Sequence, residues 1–356
     1  MSDKIMKIGI SHGDVNGVAY ELILKTFCEP RMYENCIPVV YGSAKVVAYY
    51  RKMMDLPQFS VNNINHPNEA APNKLNVISC ETDDVTVELG RSTPLINKLA
   101  EQAFQRAVAD LTAGHIDSLI SAPSQVDERA AFDQLAGNGK KAINILIKDN
   151  LRIALATDRI PLSEVSASLS LEALVAQIRT LQSVLIHDFL IDFPRIAVLS
   201  LNPGAGLREN KFGREEEELI IPAVKEASKA GIVCFGPYSA DDFFGNEYYD
   251  RFDAVLAMYH DQGCIPFRAL SDNEGVCYSA GLSCTRIAPD TGVCYDKAGK
   301  NETSEAPFRN SVYLAADIFK NRLFDREINA NPLKKEYYEK GSDNEKLDLT
   351  KDADSE

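Results

Sequence analysis

The side chains best suited to chemistry form a Tyr-His-Asp-Gln-Gly cluster at residues 259–263. His260 can bind a metal ion or carry a proton near neutral pH, Asp261 can orient its imidazole ring, and Gly263 permits a sharp turn. The mostly apolar run at residues 252–258 predicts a short buried strand that leads into the cluster. Parallel α/β sheets bind ligands at the carboxyl ends of their strands, so the cluster is a candidate active site. A histidine that only caps the sheet is the competing interpretation.

The composition narrows the class of protein. The chain has 356 residues, of which 45% are hydrophobic and 25% charged, as is typical of globular proteins, and this length is sufficient for two domains. The net charge of −14 argues against nucleic acid and anionic membranes as main partners. An anionic substrate is still compatible with this charge, because a few local arginines suffice to bind a phosphate.

The sequence also predicts where the protein is found. The first residues contain no apolar signal-peptide segment, and no apolar run reaches the ~18 residues that a membrane-spanning helix needs. The eight cysteines are dispersed without a CxxC pair, which indicates free thiols in a reducing compartment. We therefore expect a cytoplasmic protein with neither a membrane nor a nucleic-acid partner.

Strand-like and helix-like segments alternate along the chain, which predicts an α/β fold with a largely parallel sheet. Residues 142–147 are compatible with a short helix or a buried run, residues 85–89 with a strand, and residues 331–356 with a disordered acidic tail. The predicted strands are 7–11, 38–42, 75–79, 116–121, 151–157, 195–201, 232–236 and 252–258, and the predicted helices are 20–27, 44–52, 92–111, 171–190, 215–230 and 308–321.

Two glycine-bearing loops follow predicted strands. The first is HGDVNGV at residues 12–18, which lies between a strand and a helix, and the second is NPGAG at residues 202–206. A strand, a glycine-containing turn and a helix are the layout of a phosphate or nucleotide loop, but the glycine spacing matches neither GxGxxG nor the Walker pattern. A plain turn between strand and helix is the alternative for the first loop.

Six motifs, taken in order and spacing, resemble the PdxA family of 4-hydroxythreonine-4-phosphate dehydrogenases of vitamin B6 synthesis. The resemblance extends from about residue 7 to about residue 322, and AMYHDQG is the most specific of its motifs. The motifs are HGDVNGV at 12–18, LRIALAT at 151–157 with a Pro-Leu pair at 161–162, NPGAG at 202–206, FGREE at 212–216, GPYSAD at 236–241 and AMYHDQG at 257–263.

The resemblance implies a fold and an activity. It implies a two-domain α/β/α subunit, similar to isocitrate and isopropylmalate dehydrogenases, with the active site in the interdomain cleft. Residues 1–120 and 305–330 would form the first domain, and residues 121–304 the second, which carries the interface of a homodimer. NAD would accept a hydride from 4-phosphohydroxy-L-threonine or a related phosphorylated hydroxy acid, and the resulting β-keto acid would lose CO2. A divalent metal, Zn or Mg, would assist both steps as a Lewis acid.

The resemblance also implies roles for individual residues. Of the three family positions that hold metal-ligating histidines, drawn from both subunits, this chain has a histidine only at His260, with Arg159 and Gly204 at the other two. The implied site residues are His260 and Asp261 for catalysis, Arg268, Arg286, Lys140 and Asp14 for substrate binding, and Asp290, Gly292, Asp296 and Gly299 for cofactor binding.

Two of the three family ligand positions lack a histidine, and one imidazole alone is not a metal site. Several functions are therefore open. The first is a dehydrogenase that uses another base, for which His260 or Lys140 is available. The second is a non-catalytic paralogue that binds a phosphorylated ligand, or that forms a heterodimer with an active PdxA subunit. A diverged protein with residual ligand binding is the third. Arg159 beside Arg268 and Arg286 further predicts an anion site in the cleft.

Overall fold

The predicted α/β fold is confirmed by the structure, a computed structural model that describes residues 4–80, 85–206 and 212–330. The strands of these residues form one twelve-stranded sheet in the order β3-β4-β2-β1-β5-β12-β11-β6-β7-β10-β8-β9. They are β1 (Met6–Ser11), β2 (Cys36–Gly42), β3 (Val61–Ile64), β4 (Leu75–Ser79), β5 (Ser118–Ser121), β6 (Ile143–Lys148), β7 (Leu151–Leu155), β8 (Ile196–Leu199), β9 (Cys234–Tyr238), β10 (Ala254–Ala257), β11 (Val276–Ala280) and β12 (Arg286–Pro289).

Helices alternate with the strands. A π-helical turn at Glu216–Ile220 leads directly into α8. The helices are α1 (Ala19–Phe27), α2 (Met32–Asn35), α3 (Ala44–Met53), α4 (Pro94–Thr112), α5 (Glu128–Ala136), α6 (Val165–Ser168), α7 (Leu171–His187), α8 (Ile221–Lys229), α9 (Ala240–Gly245), α10 (His260–Leu270) and α11 (Ala306–Asn329).

Two antiparallel strands divide the sheet into two parallel halves. The pairs β12·β11, β11·β6 and β6·β7 are antiparallel, and every other neighbouring pair is parallel. The strands from β3 to β12 in the sheet order therefore run opposite to those from β7 to β9. The carboxyl ends of the strands in the two halves therefore point in opposite directions along the sheet.

Capping residues set the ends of the long helices. The predicted helix at 92–111 begins at Pro94 because the Thr93 hydroxyl accepts a hydrogen bond from the Ile96 amide at 3.3 Å. Its buried stripe includes Phe104, as the 3.6-residue periodicity predicts. Helix α7 begins in the same way, with the Ser170 hydroxyl accepting from the Ala173 amide at 3.2 Å.

Some local predictions were left open or were wrong. Most of the apolar run at residues 142–147 lies in strand β6. An apolar run of this length does not by itself distinguish a buried strand from a helix. Residues 85–89 form no strand, and Asn16 accepts hydrogen bonds from one amide of this segment and from the amide that follows it. Its side-chain oxygen accepts from the Glu88 amide at 2.8 Å, and its carbonyl accepts from the Gly90 amide at 2.9 Å. Helices α5 and α10 were missed, and α10 begins at His260 itself.

Two further features concern membrane-spanning helices and the state of the cysteines. No single helix among the described residues is long and apolar enough to cross a membrane, although the pair Leu162–Ser168 and Leu171–His187, bent by 90°, would reach the required length and composition. All eight cysteines are free thiols, as their spacing predicts. The predicted acidic tail at 331–356 lies outside the described residues.

Candidate active site

A cavity of about 410 Å³ lies over the middle of the sheet. Three of its lining residues, Leu146, Cys277 and Ala288, are direct neighbours on β6, β11 and β12. Its walls come from the segments that follow β5, β7, β10 and β12, so strand ends of both halves of the sheet contribute. The cavity is therefore built by chain segments that lie far apart in the sequence.

The cluster at 259–263 forms one wall of this cavity. Strand β10 ends at Ala257, and His260 lines the cavity as the first residue of α10. Its Nδ1 atom lies 2.7 Å from Oδ1 of Asp261. When the neutral ring donates from Nδ1 to this carboxylate, Nε2 is the nitrogen with the free lone pair. Gln262 holds the turn, because it accepts from the Met258 amide at 2.7 Å and donates to the Ser200 carbonyl at 2.6 Å.

Gly263 serves a different purpose from the predicted turn. It lies inside α10, and a Cβ atom there would come within 2.6 Å of Cδ2 of Leu155 and 3.3 Å of Cβ of Ala257. The glycine therefore allows the first turn of α10 to pack directly against β7 and β10. This close approach sets the position of His260 against the cavity.

Arg268 and Asp290 form an ion pair across the cavity wall. The guanidinium donates from Nε to Oδ2 at 2.9 Å and from Nη2 to Oδ1 at 2.7 Å, which is a bidentate geometry. These hydrogen bonds raise the pKa of Arg268 above its ordinary value. The pair joins α10 to the end of β12. Arg268, a predicted substrate-binding residue, and Asp290, a predicted cofactor-binding residue, therefore neutralise each other's charge.

Arg286 is held at the base of the cavity by a buried network. It donates to the Ser121 hydroxyl at 2.9 Å, to the Ser279 hydroxyl at 3.2 Å and to Oε2 of Glu128 at 3.3 Å, and its guanidinium lies 5.7 Å from the centre of the Phe104 ring. The side chains of Arg286 and Glu128 are each only 4% exposed. Burial raises the pKa of Glu128, and the charge of Arg286 offsets this only in part.

A third ion pair supports the wall that carries Arg159. The carboxylate of Asp158 accepts from Nη1 of Arg129 and from Nδ2 of Asn144, both at 2.8 Å. Arg159, the next residue, is exposed and lines the cavity together with His260. Among the residues that the structure describes, Arg159 makes no ion pair. It also lines an adjoining cavity of about 580 Å³, to which Asp261 contributes.

Two cysteines of the cavity are poor nucleophiles. Burial raises the pKa of Cys264 to about 12 and that of Cys277 to about 11. Both thiols are therefore protonated near neutral pH, and a thiolate mechanism has no support here. Their side chains contribute to the shape of the cavity wall.

Asp14 supports the cavity from behind without lining it. Its carboxylate is buried and accepts hydrogen bonds from the Asn16 amide at 2.8 Å and from the Tyr295 hydroxyl. Its own amide donates to the Pro123 carbonyl at 2.8 Å. The glycine-bearing loop at 12–18 therefore acts as a brace for the cavity segments around 123 and 293, and forms no phosphate cradle of the Walker type.

The remaining predicted residues are spread more widely. Gly292 lines the cavity, whereas Lys140, Asp296, Gly299 and Gly204 do not. Lys140 is exposed on the turn after α5, and Asp296 is exposed as well. The Gly299 amide donates to Oε1 of Glu21 at 2.5 Å, and the Gly204 amide donates to the Ser239 hydroxyl at 3.2 Å. The roles implied for these residues stay predictions.

Sequence reasoning missed the partners that hold the arginines. Glu128, Arg129 and Asp158 carry the charge balance of the cavity, yet they belong to no motif that a single sequence displays. The only signal for Glu128 is local. The Asp127 side chain caps the following segment by accepting from the Ala130 amide at 3.4 Å, which could have revealed α5.

Comparisons with known proteins show the family of this chain. The sequence model of the family described as "Pyridoxal phosphate biosynthetic protein PdxA" matches residues 34–315. The chain belongs to the PdxA family. It is 44% identical over 360 residues to the 4-hydroxythreonine-4-phosphate dehydrogenase of Bacteroides thetaiotaomicron, with 98% of each chain covered. It is 33% identical to that of Prosthecochloris aestuarii, covering 88% of this chain and 97% of the relative.

A solved structure of a similar protein has the same fold. The crystal structure of 4-hydroxythreonine-4-phosphate dehydrogenase from Klebsiella pneumoniae superposes with a TM-score of 0.75 at 27% identity, covering 90% of this chain and 99% of that one. The PdxA fold is thus present over almost the whole described chain. The site is where members of the family can differ.

The cavity of this PdxA member does not fit the metal that the resemblance implies. Of the three implied ligand positions, His260 carries an imidazole, Gly204 has no side chain, and Arg159 brings a positive charge to the same cavity as His260. A catalytic zinc site needs three protein ligands. Pairing two copies of this chain would not restore the set, because each subunit would supply the same three residues.

Proposed function

We propose that this PdxA family member oxidises 4-phosphohydroxy-L-threonine, or a closely related phosphorylated hydroxy acid, with NAD, and that the keto acid product loses CO2 in pyridoxal phosphate biosynthesis. The observation that carries the proposal is the cavity in which Arg159 stands beside His260. The near full-length similarity to relatives named 4-hydroxythreonine-4-phosphate dehydrogenase supports the choice of substrate.

The charge balance of the cavity supports a phosphorylated ligand. Arg268 is paired with Asp290, and Arg286 is paired with Glu128. Arg159 is the cavity arginine that no described carboxylate neutralises. A phosphate dianion is the natural partner of an unpaired guanidinium, because two of its oxygens accept parallel hydrogen bonds. Arg159 would therefore supply the charge that attracts the substrate phosphate.

His260 is placed to act as the general base. Donation from Nδ1 to Asp261 selects the tautomer of the neutral ring in which Nε2 can accept the proton of the substrate hydroxyl. The neighbouring arginines would stabilise the negative charge that develops on oxygen during oxidation and after loss of CO2. No step in this scheme depends on a metal ion, because the ligand set for one is absent from the cavity residues.

The segment after β12 is suited to the adenosine side of NAD, the part of the cofactor that the resemblance implies for this loop. Gly292 lines the cavity, and a Cβ atom there would meet only Sγ of Cys294, at 3.9 Å, so a planar ring can approach the backbone closely. When bound, NAD accepts the hydride. Asp290 would hold this segment in place through its ion pair with Arg268. Asp296 and Gly299 would contact the more distant part of the cofactor.

The division into domains belongs to the same proposal. The first domain would comprise residues 1–120 and 305–330, and the second residues 121–304, with a homodimer formed through the second. The reversal of strand direction between β12 and β7 lies within this second segment and not at the proposed boundary, so the two halves of the sheet do not coincide with the two proposed domains. The cavity lies where the two halves meet.

The direct test is the formation of NADH when purified protein is mixed with NAD and 4-phosphohydroxy-L-threonine. Turnover that is absent from the His260→Asn protein would support His260 as the base. NADH formation at the same rate in that variant would overturn its role. Calorimetric binding of the substrate without any NADH would instead support the non-catalytic paralogue.

Replacing Arg159 with glutamine should raise the dissociation constant for the phosphorylated substrate about 10-fold or more, because a hydrogen bond to a charged group is worth about 1.5–3 kcal/mol. Calorimetry measures this without requiring turnover. Arg179→Gln is the matched control, since Arg179 is exposed and, within the described part of the chain, pairs with Glu226 alone, away from the cavity. Unchanged affinity in the Arg159 variant would contradict the proposed anion site.

The heterodimer is the second candidate, and the retention of His260 alone among the three family ligand positions is the observation that favours it. In a mixed dimer, His260 of this chain could complete the shared site of a PdxA subunit that has all three histidines, so one site would be complete and the other would not. Co-expression with such a subunit, followed by affinity purification through a tag on one chain, decides between the two arrangements. Recovery of homodimers alone would remove this candidate.

A further inference from the structure

Two histidines and one aspartate converge at a place remote from the cavity. His66 follows β3 and precedes the short turn Pro67–Glu69, Asp110 lies in the last turn of α4, and His115 follows that helix. One ligand atom from each of the three side chains lies within 4.8 Å of the other two. None of them lines the cavity described above.

The distances suit a tetrahedral ion. Nδ1 of His115 lies 3.1 Å from Oδ1 of Asp110, and ligands bound at about 2.0–2.1 Å in a tetrahedral zinc site are about 3.3 Å apart. The rings of His66 and His115 are 4.4 Å apart between centroids, at 68°. Two imidazoles and a carboxylate are thus already gathered on one side of a point that an ion could occupy.

Surrounding groups orient each ligand, as is usual around bound metals. The Asn68 amide donates to Nδ1 of His66 at 3.1 Å, which fixes the orientation of this ring. Oδ2 of Asp110 accepts from the Tyr41 hydroxyl at 2.9 Å and from Nε of Arg106 at 3.3 Å. Both donors bind the same oxygen, and Oδ1 is left facing His115.

Asp110 keeps one carboxylate oxygen available to a cation, because Tyr41 and Arg106 both donate to the other oxygen. The side chain of Arg106 is half exposed and contacts the oxygen that points away from His115, so its charge is partly screened by solvent.

We propose that His66, Asp110 and His115 bind one divalent transition metal ion, with Zn²⁺ as the best match to two imidazoles and a carboxylate, and with water as the fourth ligand. The ion would tie the connection between β3 and β4 to the end of α4. This role is structural, and it stands apart from the proposed dehydrogenase because no residue is shared with the cavity.

The test is calorimetric titration of the metal-free, full-length protein with Zn²⁺, together with the visible spectrum of the Co²⁺-substituted protein. The five histidines of the chain allow clean controls. His66→Asn and His115→Asn remove proposed ligands. His187→Asn removes a histidine that pairs with Asp325 alone at 3.1 Å, and His260→Asn removes the histidine of the cavity.

We expect one equivalent of Zn²⁺ with a tetrahedral Co²⁺ spectrum in the unmodified protein and in the His187 and His260 variants. Binding should weaken at least about 10-fold in the His66 and His115 variants, since even outer-shell changes cost 10–100-fold in affinity. Wild-type protein that binds no Zn²⁺, or binding that depends on His260 and not on His66 and His115, would overturn the proposal.

Discussion

Replacing Arg286 with methionine should lower the free energy of unfolding by about 3–5 kcal/mol, the usual cost of breaking a buried ion pair from one side. The change leaves Glu128 buried with no opposite charge and removes the hydrogen bonds to the hydroxyls of Ser121 and Ser279. Urea denaturation, followed by circular dichroism and by fluorescence, measures the loss, and an unchanged m-value would show that unfolding stays cooperative.

A second substitution distinguishes the effect of losing the charge of Arg286 on stability from the effect of losing its packing. In the Arg286→Met, Glu128→Leu protein both charges are gone, and most of the lost stability should return, because replacing a buried ion pair by apolar groups is often close to neutral. Arg268→Met is the matched control in the same cavity. The Arg268 side chain is 55% exposed, so its loss should cost only about 1 kcal/mol. Equal losses in the two single variants would contradict the distinction drawn between them.

Acid should destabilise the protein through His12, by about 3 kcal/mol between pH 6.5 and pH 4. The imidazole is fully buried, next to the ring of Tyr20, and burial lowers its pKa from 6.5 to about 4. The unfolded chain takes up a proton below pH 6.5, whereas the folded chain does so only near pH 4. The contribution of His12 is therefore complete above pH 6.5 and is lost as the pH falls through this window.

The free energy of unfolding of wild type and His12→Gln, measured across this pH range, isolates the contribution, because other groups titrate in both proteins. The wild-type curve should fall more steeply than that of the variant. His187→Gln controls for removal of an imidazole from the surface. An NMR titration of the His12 ring in the wild-type protein is a second measurement that does not require the variant to fold. Parallel stability curves, or a ring that titrates near pH 6.5, would contradict the prediction.

Much of the fold was predictable because the signals are local. The stripe that contains Phe104 repeats with the helical period, and the runs at 75–79 and 252–258 are short and apolar. Helix α10 was missed because Gly263 and Pro266 disfavour a helix, while packing against β7 overrides that preference. Segment 85–89 was assigned to a strand because no local pattern shows that Asn16 would satisfy its amides.

The sequence by itself determined the α/β fold, the family and the cluster around His260, because these depend on periodicity and on contiguous motifs. Only the tertiary structure decided the electrostatics of the site. Arg286 and Glu128 are 158 positions apart, and Arg268 and Asp290 are 22 apart, and both pairings arise from strand order in the sheet. The tertiary structure likewise brings His66 close to Asp110 and His115. Ion pairs and ligand sets depend on distance in space, and a single sequence records only distance along the chain.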